Sequence, residues 1–295
     1  MVDLALDSAA GPSSRWTAAL RRGGPRLWLG AALVGVLVLV ALAAPLIAPH
    51  DPFEQDLMSA QLPPAWTSGG DPAYFLGTDS LGRCVLSRLI YSARTAVAVA
   101  LVAATLAAAI GIVLGLVAGS FGGWIDQLTS RLIDVWMAFP PVLLSIVLAA
   151  VIGAGLTSVI AAIVVVDWTR FARVVRAETM VQLKRDYAAA ARAIGLGRGG
   201  ILRLEILPNL VPLVVTLLAV EMGIAILVEV ILSFVGISVA GDTPTWGGMI
   251  AEGRQIVYQA PWIMALPIAC IILSVIGFNL LGDGLRTLLD PVQRR

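Results

Sequence analysis

Hydrophobic residues in this chain neither alternate with polar ones nor recur at every third and fourth position. They continue through whole stretches close to the roughly 20 residues that a helix needs to cross the hydrocarbon core of a bilayer. Six such stretches are predicted as membrane spans: Leu27 to Ile47, Thr95 to Ala118, Val135 to Ile152, Ser158 to Phe171, Val211 to Val235 and Trp262 to Leu281. Inside lipid only a helix satisfies its own backbone without closing into a barrel, and none of these runs has the two-residue period of a barrel strand, so the chain is expected to be an all-α membrane protein. The third run carries Pro140 and Pro141 near its start, which predicts a kink there. The fourth is the shortest and contains Asp167.

Between the spans the pattern becomes polar in two places. From Ala48 the chain is rich in proline (Pro49, Pro52, Pro63, Pro64, Pro72) and turn dipeptides, which predicts an extended loop with little regular structure. Between the fourth and fifth runs lies the most basic connection. The expected division is an N-terminal segment 1–26, a first span 27–47, an external loop 48–94, a five-helix core 95–285 with a cytoplasmic loop at about 172–210, and a tail 286–295. Sixteen of the twenty basic residues fall on one side of this arrangement, so the positive-inside rule places both termini in the cytoplasm. Arg15, Arg21, Arg22 and Arg26 followed by an apolar run and Ala41-Leu42-Ala43 resemble a secretory signal, but the run is near full spanning length and five more follow, so an uncleaved first helix is expected.

Composition agrees with lipid as a second solvent: 59% of residues are hydrophobic and 13% charged, with a mean hydropathy of +0.91. A net charge of +1 supplies no basic face for nucleic acid. Two cysteines, Cys84 and Cys270, and one histidine, His50, are too few and too scattered for a metal site or a redox pair, and the two thiols are expected to be free. With no histidine in a span and no paired cysteines, an intramembrane enzyme has no nucleophile and base to work with.

The basic loop contains AAAARAIGLGRGGILRLEILPN, Ala188 to Asn209, and within it GLGRGG matches the glycine pattern of dinucleotide cradles. That pattern requires a strand before it and a long helix after it. Here it follows Tyr187 and a run of alanines, with Asp186 at a position suited to an N-cap, so the glycines are expected to end a short helix at Gly195 and not to open a long one. Alanines present almost no side chain, which lets a partner surface approach the backbone, while Tyr187, Arg192 and Ile194 are expected to project from it.

This loop resembles the EAA loop of permease subunits of ATP-driven (ABC) importers, in which Glu-Ala-Ala is followed by Gly after three residues and later by Leu-Pro. Ala190 and Ala191 match the alanines, Gly195 the glycine, and Leu207 and Pro208 the closing pair; Ala189 replaces the glutamate and Glu205 an isoleucine. LGTDSLGRCVLSRLIYSART (Leu76 to Thr95), ILSFVGISV (Ile231 to Val239), PTWGGMI (Pro244 to Ile250) and FNLLGDGLRTLLDP (Phe278 to Pro291) resemble segments of the peptide and nickel branch, second-permease type, with Cys84 in place of an aspartate and Ser92 in place of a glycine. The resemblance implies a type I importer permease fold in the bacterial inner membrane and ATPase-coupling residues Tyr187, Ala190, Ala191, Arg192, Ile194, Gly195, Leu207 and Pro208. It also implies four partners: a second permease subunit, two ATP-binding subunits and an extracytoplasmic substrate-binding protein. This chain has no Walker A motif, so no cofactor is expected on it, and ATP and Mg belong to the partner ATPases. Peptides are the expected solute.

Asp167, Glu221 and Glu229 fall within spans, where an ionisable group costs roughly 2.5–3.5 kcal/mol at a helix centre and needs a partner. They either line a pathway or hold packing. Asp167 is expected to pair with Arg170, and Asp283 with Arg286, at helical spacing. The alternative activity is a proton-coupled secondary transporter using Glu221 or Glu229, which leaves the cytoplasmic loop unexplained.

Overall fold

The structure, a computed structural model, describes residues 24–238 and 243–289. Arg15, Arg21, Arg22, Val239, Asp290, Pro291, Arg294 and Arg295 lie outside the described residues, as does most of the expected N-terminal segment and tail. The described residues form helices joined by turns: α1 (Gly24–Ile47), α2 (Val85–Phe121), α3 (Gly123–Met137), α4 (Pro141–Ile152), α5 (Leu156–Gln182), α6 (Asp186–Ala193), α7 (Arg198–Phe234), α8 (Trp246–Gln255) and α9 (Pro261–Leu289).

Four helices, α1, α2, α7 and α9, are long and apolar enough to cross a membrane by length and composition, and α3 with α4 makes a fifth if that bent pair is one span. The kink expected at Pro140 and Pro141 is a full break of 87° between α3 and α4. Pro141 opens α4 because its fixed φ suits a first helical position and its missing N–H costs nothing there. The third span therefore does not run straight from Val135 to Ile152. The fourth does not stop at Phe171: α5 continues to Gln182, so Arg170, Arg173 and Arg176 are helix residues and not loop residues.

The core forms where small residues let helices touch. Ala107, Gly111, Gly115 and Gly119 recur every fourth residue on α2, and α5 lies directly against that ridge. A Cβ on Gly111 would sit 2.5 Å from the Trp168 carbonyl oxygen, and one on Gly115 2.8 Å from the Ala172 carbonyl oxygen. α1 closes on α9 in the same way, with Leu27 against Gly284 and Leu281 against Gly30.

The proline-rich segment after α1 is shorter than expected, because α2 starts at Val85, which moves Arg88, Ser92 and Arg94 from the predicted loop 48–94 onto a helix. Apart from a 3-10 turn at Leu57–Ser59 it is irregular, as its prolines dictate. It is nonetheless held in place by aspartates that cap their own turns: Asp51 accepts from Phe53 N–H at 2.8 Å, Asp71 from Ala73 N–H at 2.8 Å and Asp79 from Leu81 N–H at 2.8 Å. His50 is stacked on Tyr74 with ring centroids 4.7 Å apart. Cys84 and Cys270 are free thiols, as expected.

Candidate functional site

α6 hangs between the C-terminal end of α5 and the N-terminal end of α7. Asp186 is its first helical residue and not its N-cap; Arg185, extended at φ −74 and ψ 153, takes the cap position without a side-chain hydrogen bond. The Ala189 N–H donates to the Arg185 carbonyl at 3.2 Å, so the first helical bond already starts from Arg185. Its carboxylate still lies in the first turn, where the helix dipole favours it.

The other end behaves as the glycine predicts. Gly195 N–H donates to the Arg192 carbonyl and Leu196 N–H to the Ala191 carbonyl, both at 3.0 Å, which is the Schellman arrangement. It requires a left-handed residue between them, and Gly195 has φ +90. The expectation about the remaining glycines is corrected: Gly197 is the N-cap of α7, so the glycine run also opens a long helix. What precedes it is a helix and not a strand, so the structural context of a dinucleotide cradle is missing.

α6 is amphipathic by omission. Ala188 and Ala191 are buried against Val175, Ile201, Ile206 and Leu210, whereas Ala189, Ala190, Ala193 and Ile194 face out, and Ile194 is 78% exposed. Tyr187, expected to project, is half-buried, and Arg192 is exposed as expected, yet both side chains bond back to the protein. The Tyr187 hydroxyl donates to Gln182 Oε1, and Arg192 donates to the Leu183 carbonyl at 2.6 Å, so both pin α6 to the end of α5. Burial of the Tyr187 phenol raises its pKa above the ordinary value. Leu207 and Pro208 are exposed on α7 just beyond a π-helical stretch, Leu202–Ile206. Pro208 has no N–H for the Leu204 carbonyl, and the helix widens there; Asn209 Nδ2 donates to the Glu205 carbonyl at 2.6 Å. Ile206 and Leu210 then seat α6, so the two parts of the predicted coupling set share one body.

The carboxylates of the spans divide into two groups. Asp167 and Glu221 meet at Arg170, whose Nη1 is 3.3 Å from Glu221 Oε2 and whose Nη2 is 3.8 Å from Asp167 Oδ1, in line with the expected i, i+3 pairing. Glu229 stands apart and accepts from the Ser233 and Ser238 hydroxyls, at 2.5 and 3.5 Å. Down α5, Arg173 bonds Asp134 at 2.9 Å and Arg176 Nη2 bonds Asp126 at 2.8 Å, fastening α3 to α5. Asp283 and Arg286, expected to pair, are both exposed and form no ion pair among the described residues.

One constellation escaped sequence reasoning. Arg83 and Arg88 are both buried and bracket two acids: Arg83 Nε bonds Asp79 at 2.7 Å, Arg83 Nη2 bonds Glu252 at 2.8 Å, and Arg88 bonds Asp79 and Glu252. This network ties the segment between α1 and α2, and α2 itself, to α8. The available signal was the set of charges inside LGTDSLGR and SRL, which a loop of 48–94 treats as solvated. Among the described residues no group of three or more His, Cys, Asp or Glu is placed to hold a metal.

Residues 111–295 match the family described as binding-protein-dependent transport system inner membrane component, and residues 25–64 match the N-terminal TM domain of oligopeptide transport permease C. The chain is 41% identical over 266 residues to the dipeptide transport system permease protein DppC of Haemophilus influenzae, covering 89% of each. It is 38% identical over 256 residues to the di/tripeptide transport system permease protein DppC of Pseudomonas aeruginosa, covering 87% of this chain and 84% of that one. It is also 38% identical over 264 residues to the glutathione transport system permease protein GsiD of Shigella dysenteriae, covering 88% of this chain and 84% of that one.

Proposed function

The chain belongs to the family of binding-protein-dependent transport system inner membrane components, a permease subunit of a bacterial ABC importer, and on that premise we propose that it carries di- or oligopeptides and takes its driving force through α6. It forms half of the translocation pathway beside a second permease subunit. Two cytoplasmic ATP-binding subunits bind and hydrolyse ATP with Mg, and an extracytoplasmic binding protein delivers the solute. The chain crosses the membrane six times, with α3 and α4 together making one crossing and α5 another, and both termini are cytoplasmic. The identity to dipeptide, di/tripeptide and glutathione permeases supports a peptide-like solute.

The observation that carries the coupling is the outer face of α6. It presents Ala189, Ala190, Ala193 and Ile194 while Tyr187, Arg192 and the Gly195 turn fix the helix to α5 and α7. A partner that moves this helix therefore moves two long helices with it. Closure of the ATPases around ATP displaces α6, and the rigid helices turn that displacement into opening of the pathway toward the outside. Swinging the resting population from 1:99 to 99:1 takes a differential affinity of about 5.5 kcal/mol, which ATP binding has to supply. Asp167, Glu221 and Glu229 act as packing groups: Arg170 lies against the first two and the Ser233 hydroxyl donates to the third.

The test is uptake of a labelled dipeptide into proteoliposomes carrying the complete transporter and its binding protein. Uptake is expected to require internal ATP and to survive collapse of the proton gradient. Uptake that persists without ATP and fails without the gradient returns the function to the secondary-transporter alternative.

A further inference from the structure

The space beside α6 has chemistry that the coupling role does not use. A cavity of about 310 Å³ opens where the C-terminal end of α5, α6, the start of α7 and the end of α2 come together, and two of the side chains lining it are Arg192 and Arg198. Arg192 is held in place by its bond to the Leu183 carbonyl at 2.6 Å, which uses one of its N–H groups and leaves the rest of the guanidinium fork open. Arg198 is exposed, and neither arginine forms an ion pair among the described residues. No acid lines the cavity. Glu178, on the last turns of α5, is engaged by Gln182 Nε2 at 2.6 Å, and Asp186 lies in the first turn of α6 whereas Arg192 lies in its last.

Two guanidinium groups lining one space with no counter-charge favour an anion there. Their planar forks match phosphate oxygens two at a time, and they are more weakly hydrated than an ammonium group. The other walls do not suit a free ion. Leu183, Leu196, Ile201 and Leu202 are apolar, and all four belong to the cluster that seats α6, so the cavity lies on the seated side of that helix and not on its alanine face. Ser120 completes the lining and donates its hydroxyl to the Leu116 carbonyl at 2.6 Å. It stands just past the apolar run of α2 that ends at Ala118, which places the cavity where the hydrocarbon core gives way to headgroups.

A ligand that fits is anionic at one point and apolar beside it. Inorganic phosphate is polar all round, whereas a phospholipid carries its phosphate next to its chains, and basic pockets between membrane helices are a recurring form of headgroup site. Two arginines balance a headgroup of net negative charge better than a zwitterionic one. We propose that the cavity of Arg192 and Arg198 binds the phosphate of an anionic phospholipid, so that a membrane lipid holds α6 from its seated side while a partner takes its outer face. The inference rests on the placement of α6 at the inner membrane surface proposed above. Lipid binding is read without solute or ATP, so it can fail while coupling through α6 stands, and hold while that coupling fails.

Native mass spectrometry of the complete transporter, released from nanodiscs of phosphatidylcholine with a minor fraction of phosphatidylglycerol, reads the bound lipid directly. Wild type is expected to retain one phosphatidylglycerol more than Arg198→Gln. Arg203→Gln removes the same charge from an exposed position outside the cavity and is expected to match wild type. Equal retention in wild type and Arg198→Gln, or the same loss in Arg203→Gln, overturns the site. Hydrogen exchange within α6 gives a second reading that needs no variant: in wild type it is expected to be slower with phosphatidylglycerol present than in phosphatidylcholine alone. No difference between the two lipids overturns the support of α6. Slowing of the same size by inorganic phosphate added to phosphatidylcholine nanodiscs assigns the cavity to a soluble anion and overturns the lipid.

Discussion

Leu196 donates its backbone N–H to the carbonyl of Ala191 at 3.0 Å, across a glycine at φ +90, and this bond sets the angle at which α6 leaves for α7. A Cβ on Gly195 meets nothing within 4 Å, so its requirement for glycine is one of backbone conformation and not of space. A left-handed residue other than glycine costs roughly 1–2 kcal/mol, less for asparagine and more for a β-branched side chain. Gly195→Val is expected to assemble in the membrane yet hydrolyse ATP with little uptake, and Gly195→Asn to retain most of the coupling. The ratio of solute transported to ATP hydrolysed in proteoliposomes checks this. Equal ratios in both variants and wild type would remove the Gly195 turn from the coupling route.

The α2 ridge makes an opposite pair of predictions. On Gly111 a Cβ would lie 2.5 Å from a backbone oxygen of α5, whereas on Gly35 of α1 it meets nothing within 4 Å. Gly111→Ala is expected to cost about 1–3 kcal/mol through overpacking. Gly35→Ala should gain up to about 1 kcal/mol from helix propensity and a less flexible unfolded chain. Thermal unfolding of the two purified variants should move in opposite directions from wild type.

The network of Asp79, Arg83, Arg88 and Glu252 predicts that removing a buried cation does more harm than removing the half-buried acid. Arg88 contacts Asp79 and Glu252, and its loss leaves Asp79, 1% exposed, with one cation fewer. Arg88→Ala is expected to destabilise by about 3–5 kcal/mol, the usual cost of breaking a buried pair from one side. Glu252 is 35% exposed at its side chain, so Glu252→Gln should cost no more than about 1 kcal/mol. Hydrogen exchange in 48–84 is expected to rise sharply in the first variant and little in the second.

Most of the helical architecture was legible because apolar runs of spanning length have one physical solution. α1, α2 and α9 contain their predicted spans and α7 all of its span but Val235, although α2 starts at Val85 and not Thr95, and α7 at Arg198 and not Val211. The ends were harder to read, because Arg170, Arg173 and Arg176 look like solvated loop charges until Asp126, Asp134 and Glu221 are seen to meet them from other helices. The break before α4 was foreshadowed by two prolines, but its 87° bend depends on how α3 packs against α5. Between α5 and α7, alanine and glycine spacing correctly indicated a short closed helix. It could not tell that Tyr187 and Arg192 bond back to the end of α5, since that choice lies with Gln182 and the Leu183 carbonyl. The Asp79, Arg83, Arg88 and Glu252 network pairs residues up to 169 positions apart, so the charges in LGTDSLGR and SRL could be seen in the sequence but not their partner Glu252.

The coupling role of α6 is tested most directly at Ile194, its most exposed large side chain. Cys84 is buried and Cys270 lies within α9, so Ile194→Cys places a thiol on the outer face of a chain with little competing reactivity. In the assembled transporter this thiol is expected to crosslink to an ATP-binding subunit and to be shielded from a water-soluble maleimide, with the crosslink yield changing when ATP is added. A thiol that the maleimide modifies at the same rate with and without the ATPases present would contradict the account.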